Sequence, residues 1–255
     1  MHKLTSDGDH RLTRRGSLAK LGGLAVTALA AGSWRIGVSE TEPEAATAGD
    51  GPAGVASGAV TCVLAPEQTE GPYYIPDEKI RRNITEGRPG TSLALRILVV
   101  DASSCKPIRG AAVDIWHCDA GGVYSGYDSG SPPSGGGGHA DPSNELTFLR
   151  GIQKTDAKGV ATFQTIYPGW YRGRTVHIHV KVHLGGNVVH TGQIYFPDTL
   201  TDSVYKRAPY NKRPNRDVRN ASDFVYRTGG KNSMLRVTKN GGGYVGTITM
   251  GVHAS

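Results

Sequence analysis

From Ser92 onward the chain alternates short apolar runs with turn-forming residues. SLALRILVVDA (92–102) alternates and then runs apolar, as a strand with a buried face does. SCKPIRG (104–110) reads as a turn, and AAVDIWHCDA (111–120) as the return strand. A period of two puts Val113, Ile115 and His117 on one face of that strand, and Asp114, Trp116 and Cys118 on the other. DAKG turns into VATFQTI (160–166). TVHIHVKVHL and NVVHTGQIYF flank Gly185-Gly186-Asn187 as a hairpin, and MLRVTKN and GYVGTITMGV flank a glycine run as another. No long stretch carries a helical period. The pattern predicts an all-β fold, a β-sandwich interrupted by two long loops, 121–144 and 198–224. Loops of that length in a sandwich are commonly functional or disordered. The tract Ser134 to Gly138 is low in complexity, whereas Tyr124 and Tyr127 lie just before it.

The first sixty residues read differently. Residues 1–35 carry a charged start and an apolar run from Leu18 to Ala31, the layout of an export signal rather than a membrane anchor, since the run is short and rich in Gly and Ala. Arg14-Arg15, followed by Leu18 and Lys20, resembles a twin-arginine signal, with Ser17 where such signals usually carry phenylalanine. Residues 36–59, rich in Ala, Gly, Pro and Glu, predict a flexible linker, and 60–255 the folded domain. The expected location is outside the cytoplasmic membrane: secreted, periplasmic or in the cell envelope.

Charge alters the picture little. Lys3, Arg11, Arg14, Arg15, Lys20 and Arg35 stand against only Asp7 and Asp9 in the first 35 residues, so most of the formal +7 sits there. The remainder shows no basic helix or basic–aromatic stripe of the kind that grips nucleic acid. An exported protein can form disulfides, but Cys62, Cys105 and Cys118 leave the pairing open.

The candidate chemistry lies in WYRGRTVHIHV (170–180). On a strand His177 and His179 face the same way with Cα atoms about 7 Å apart, close enough to reach one ion. His183 shares that face by parity and His190 lies on the partner strand, so histidine count alone does not choose the pair. No His-Glu-x-x-His is present, which disfavours a metalloprotease. No carboxylate lies on the His177 strand; Asp156 and Asp198 could supply one from elsewhere, giving a zinc or Fe(II) site. What recurs near glycine turns is tyrosine: Tyr124, Tyr167 and Tyr171. Phenolate is a hard anionic donor suited to Fe(III), whose charge lowers the phenol pKa far below its free value near 10. A secreted sandwich without catalysis would have no need of these tyrosines and histidines together.

EGPYY (70–74), DIWHCDAGGVYSGY (114–127), PGWYRGRTVHIHV (168–180) and GQIYF (192–196) together resemble the intradiol ring-cleavage dioxygenases, the family of protocatechuate 3,4-dioxygenase and catechol 1,2-dioxygenase. The resemblance implies a β-sandwich and one non-haem Fe(III) held by Tyr124, Tyr171, His177 and His179. Tyr167 is the alternative second tyrosine, because the segment from Tyr171 to His177 is shorter than in protocatechuate dioxygenase. It further implies a catalytic Arg174 supported by Gln193, a substrate pocket lined by Trp116 and Tyr73, and Tyr171 as the base that the substrate displaces. The implied reaction takes a catecholic substrate and O2, and opens the ring between the two hydroxylated carbons to a cis,cis-muconate-type diacid. Fe(III), two phenolates and a hydroxide sum to zero charge, which suits a partly buried site. No helical segment of the kind catechol 1,2-dioxygenases use to dimerise is legible, and a homo-oligomer is left open.

Overall fold

The computed structural model describes residues 62–76, 79–128, 140–213 and 215–254. The export signal, the linker and His139 lie outside them, as does the tract Ser134 to Gly138. Among the described residues, eight strands form two four-stranded sheets. In the first the order is β4 (Val160–Ile166), β1 (Ser92–Asp101), β8 (Gly243–Val252), β7 (Arg236–Asn240). In the second it is β3 (Arg150–Lys154), β2 (Ala112–Trp116), β5 (His177–Leu184), β6 (Asn187–Tyr195). All neighbours run antiparallel except β1 and β8, which pair in parallel from Leu93↔Tyr244 to Asp101↔Val252.

Both predicted hairpins form, as do β1 and the DAKG turn into β4. The turn 104–110 does not return the chain beside β1. It carries it across the sandwich, and β2 pairs with β3 and β5 in the other sheet. The 198–224 segment is not a plain loop either. It holds helix α1 (Asp198–Val204) and 3-10 turns at Tyr210–Lys212 and Asn220–Ser222. Cys62 and Cys105 form a disulfide, and Cys118 is free and buried.

The two-residue period explains the core. Leu93, Leu95, Ile97 and Val99 of β1 meet Val113 and Ile115 of β2, Phe163 of β4, and Ile178, Val180 and Val182 of β5. Each is shielded from water, worth roughly 1.5–3 kcal/mol per large side chain before ordering costs. The alternate residues of the second sheet point outward, yet they too are buried, because residues 67–75 and 118–128 cover that face. β5 is accordingly buried at six consecutive positions, His177 to Val182. The register lines up Arg150, Trp116, His179 and Gln193 as one row across all four strands. His177 opposite Tyr195 forms the neighbouring row.

Candidate metal centre

Four donor atoms converge on the covered outer face of the second sheet. His177 Nε2 lies 3.0 Å from His179 Nε2, 3.2 Å from Tyr171 Oη and 3.5 Å from Tyr124 Oη. Tyr171 reaches this point from the loop before β5, and Tyr124 from the turn after β2. Tyr167 does not: it sits in the main core, its Oη 2.7 Å from Thr201 Oγ1. Gly122, at φ +86°, shapes the Tyr124 turn; a Cβ there would come within 2.1 Å of the Trp170 carbonyl oxygen, so the two tyrosine segments pack directly on one another.

The histidines are set up as lone-pair donors. His177 Nδ1 is 2.6 Å from the Thr175 carbonyl, which assigns the proton to Nδ1 and leaves Nε2 free. Burial, and then the Arg174 charge, pull the His177 pKa down to about 3. Burial and the neighbouring His177 hold His179 well below the usual imidazole value. Both rings are therefore neutral at pH 7. The phenols are pushed the other way. Burial lifts Tyr171 to about 12, with Arg174 opposing, and lifts Tyr124 well above its ordinary value. Without a cation, neither phenol ionises near neutrality.

This donor set fits a ferric ion. Bonds of about 2.1 Å to nitrogen and oxygen set adjacent donors roughly 3.0–3.4 Å apart, close to the 3.0–3.5 Å found around His177 Nε2. Two buried phenols that only a strong positive charge would ionise are suited to a hard trivalent cation. The carboxylates that a zinc or Fe(II) site would draw on are used elsewhere. Asp156 caps its own turn through the Lys158 and Val160 amides, and Asp198 binds Arg216. Among the described residues no group of three His, Cys, Asp or Glu is placed to share an ion.

Arg174 lies beside the cluster, buried and doubly held. Its Nε donates to Asp223 Oδ2 at 2.9 Å and its Nη2 to Gln193 Oε1 at 2.5 Å. Gln193 Nε2 in turn donates to the Thr69 carbonyl, and Tyr195 Oη to Gln193 Oε1. Tyr73 stacks on Tyr124, with centroids 4.4 Å apart. Trp116 is 1% exposed and lies flat on His179, centroids 4.9 Å apart and planes 4° apart.

His117 is bonded to the Cys118 carbonyl and Thr165 Oγ1, and His190 to Glu67, so neither joins the cluster. His183 keeps the face that parity gives it, but lies four residues along the strand from His179, beyond a register shift after Val182. Arg172 is exposed.

Sequence reasoning missed two side chains. Asp223 anchors Arg174 from across the chain, and the only signal for it was its place in the long 198–224 segment. Arg150 is fully buried. It donates to Ser125 Oγ (2.8 Å), the Ser125 carbonyl (2.7 Å) and the Tyr73 carbonyl (2.7 Å), tying the Tyr124 turn to the GPYY segment. An arginine opening a short polar strand gives no hint of that role.

A sandwich whose outer face is roofed over two histidines and two tyrosines defines a narrow class, and comparison with known proteins gives the same class. The family model described as Dioxygenase matches residues 69–207. The fold is similar to the intradiol ring-cleavage dioxygenase of Tetranychus urticae at 37% identity and TM-score 0.71, covering 76% of this chain and 96% of that one. It is also similar to the dioxygenase domain of a dioxygenase–carbohydrate-binding protein fusion from the cellulolytic bacterium Streptomyces sp. SirexAA-E, at 31% identity and TM-score 0.56, covering 75% and 99%. Among curated proteins the catechol 1,2-dioxygenase of Candida albicans is 28% identical over 166 residues, 53% of this chain and 49% of that protein. The chain thus spans about half the length of the curated relative it matches. The chain belongs to the intradiol ring-cleavage dioxygenase family.

Proposed function

We propose that this protein is an Fe(III)-dependent intradiol dioxygenase that uses O2 to cleave catechol-type rings between the two hydroxylated carbons, giving cis,cis-muconate-type diacids. The observation that carries the reading is the set of donor separations of 3.0–3.5 Å around His177 Nε2. Tyr124, Tyr171, His177 and His179 would hold the iron. Bound there, ferric iron would supply a Lewis acid for the two catechol oxygens and an electron acceptor for the ring.

The protein's own groups do the rest. His177 and His179 remain neutral, so they offer lone pairs without adding positive charge. Tyr171 is the phenol to exchange its proton: it lies three residues before Arg174, whose charge acts against the burial that raises the Tyr171 pKa. Tyr171 Oη would take a hydroxyl proton from the arriving catechol. Arg174, fixed by Asp223 and Gln193, presents a permanent positive charge where negative charge builds on the ring, at no reorganisation cost. Tyr73 and Trp116 exclude water and wall the donors with apolar surface.

Export by the twin-arginine route is part of this proposal, because that route carries folded proteins already loaded with their cofactor. Arg14-Arg15 and the apolar run after it support the route, and the Cys62–Cys105 disulfide supports an oxidising compartment outside the cytoplasm.

The test is the visible absorption spectrum of the iron-loaded protein, before and after anaerobic addition of catechol. A charge-transfer band that shifts on catechol is expected. A colourless protein with full iron occupancy would sink the tyrosinate assignment.

A further inference from the structure

The two histidines are steadied differently. His177 has its Nδ1 hydrogen bond to Thr175, whereas His179 Nδ1 is buried without a partner among the described residues. A ligating histidine ordinarily has its second ring nitrogen fixed by a hydrogen bond. Something else must hold the His179 ring.

A closed circuit of contacts surrounds that ring. Trp116 lies flat against one side. Gly71, at φ +75°, passes so close that a Cβ there would sit 3.1 Å from His179 Cε1. The residue before it, Glu70, forms an ion pair with Lys181 Nζ. Lys181 is two positions beyond His179 on β5 and so shares its face. Its ammonium also lies 3.7 Å from the centroid of Tyr74, and Tyr74 packs on Trp116 at 4.8 Å. The circuit thus runs from His179 through Gly71, Glu70, Lys181, Tyr74 and Trp116 back to His179. Lys181 is 8% exposed. A lysine this deeply buried is rare unless paired, and here its charge reaches two residues of the same covering segment, Glu70 and Tyr74.

We propose that the Lys181–Glu70 pair is a positioning device for His179: it pins the EGPYY segment to β5 and thereby clamps the imidazole that lacks a hydrogen bond of its own. This rests on the metal-centre reading above. Neither residue touches the donor atoms, so both are positioning residues.

The test compares full-length wild type, Lys181→Met, Glu70→Gln and Lys181→Arg, each loaded with Fe(III). The readouts are the visible band and the rate of iron release to excess ferric chelator, with melting temperature recorded alongside. Loss of a ligand's supporting contact costs about 10–100-fold in metal affinity. Lys181→Met and Glu70→Gln should each release iron about tenfold faster or more, while Lys181→Arg, which keeps the charge, stays within about threefold of wild type. Glu70→Gln preserves volume and keeps the test open if Lys181→Met fails to fold. Iron release at the wild-type rate from folded Glu70→Gln would overturn the clamp. So would equal acceleration in Lys181→Arg and Lys181→Met. A wild-type protein that takes up iron without a visible band would instead overturn the metal-centre reading beneath it.

Discussion

Asp223→Asn is the sharpest single-atom perturbation the structure offers. Asp223 is fully buried, and its two oxygens face donors only. Oδ1 accepts from the amides of Val225 (2.9 Å) and Tyr226 (2.7 Å), and Oδ2 from the Thr175 amide (2.8 Å) and Arg174 Nε (2.9 Å). An asparagine has the same shape, but whichever way its amide is turned, its NH2 meets two N–H donors. Arg174 then keeps its charge without its counter-ion. Breaking one side of a buried pair in this way costs about 3–5 kcal/mol. Urea unfolding of the iron-free protein measures this independently of the metal. At a slope of about 2 kcal/mol per molar, the midpoint should fall by roughly 1.5–2.5 M. The pH dependence supplies a second sign. Arg174 and the surrounding donors outweigh burial and hold the Asp223 pKa below the usual carboxylate value. Its stabilisation is therefore present above about pH 4 and is lost as pH falls through the lowered folded value. Asp223→Asn should lose that acid limb. With iron and catechol, a freed Arg174 should lower kcat/KM by tenfold or more. A midpoint within about 0.3 M of wild type would refute the assignment of Arg174 to Asp223.

Other outcomes follow from the same geometry. Tyr171→Phe should abolish the catechol-induced spectral shift and cut kcat/KM at least about 100-fold. Tyr167→Phe should leave the band in place and cost only about 1 kcal/mol, for its bond to Thr201, in denaturant unfolding. In iron-free protein His117, His177 and His179 are buried and neutral, with folded pKa values below that of the unfolded chain. Stability should therefore decline as pH falls below about 6.5, by about 1 kcal/mol per histidine between pH 6.5 and 5.5, and a flat denaturation profile there would show that the rings take up protons while folded. Reducing Cys62–Cys105 opens a link between residues 43 apart, and should cost about 4 kcal/mol in the chain-entropy picture, read as a shift in unfolding midpoint with and without reductant.

What the sequence revealed, and what it did not, divides along chain distance. The hairpin of β5 and β6 and the shared face of His177 and His179 follow from a period of two, a purely local property. The choice of sheet for β2 is not local. Its pattern suits either side of the sandwich, and pairing with β5, far along the chain, decides it. β3 escaped notice because RGIQK has no apolar alternation; its burial comes from the covering segments and from Arg150. The same holds within the site. The histidines and tyrosines announce themselves by type and spacing, but Asp223 reaches Arg174 from 49 residues away, and nothing near either residue marks the pair.

The parallel pairing of β1 with β8 bears on how the molecule is made. Synthesis delivers β1 early and β8 after every other strand, yet β8 lies between β1 and β7. Until it emerges, β1 has only β4 beside it, and its other edge is an open row of amides and carbonyls able to recruit a strand from another nascent chain. Closing the first sheet is thus a late, long-range event, and pairings of that kind form slowly. A chain truncated before Gly243 and released from the ribosome should be markedly more prone to aggregate than one that runs past Val252, and a holdase chaperone that shields the apolar strand of β1 would find its client before β8 emerges.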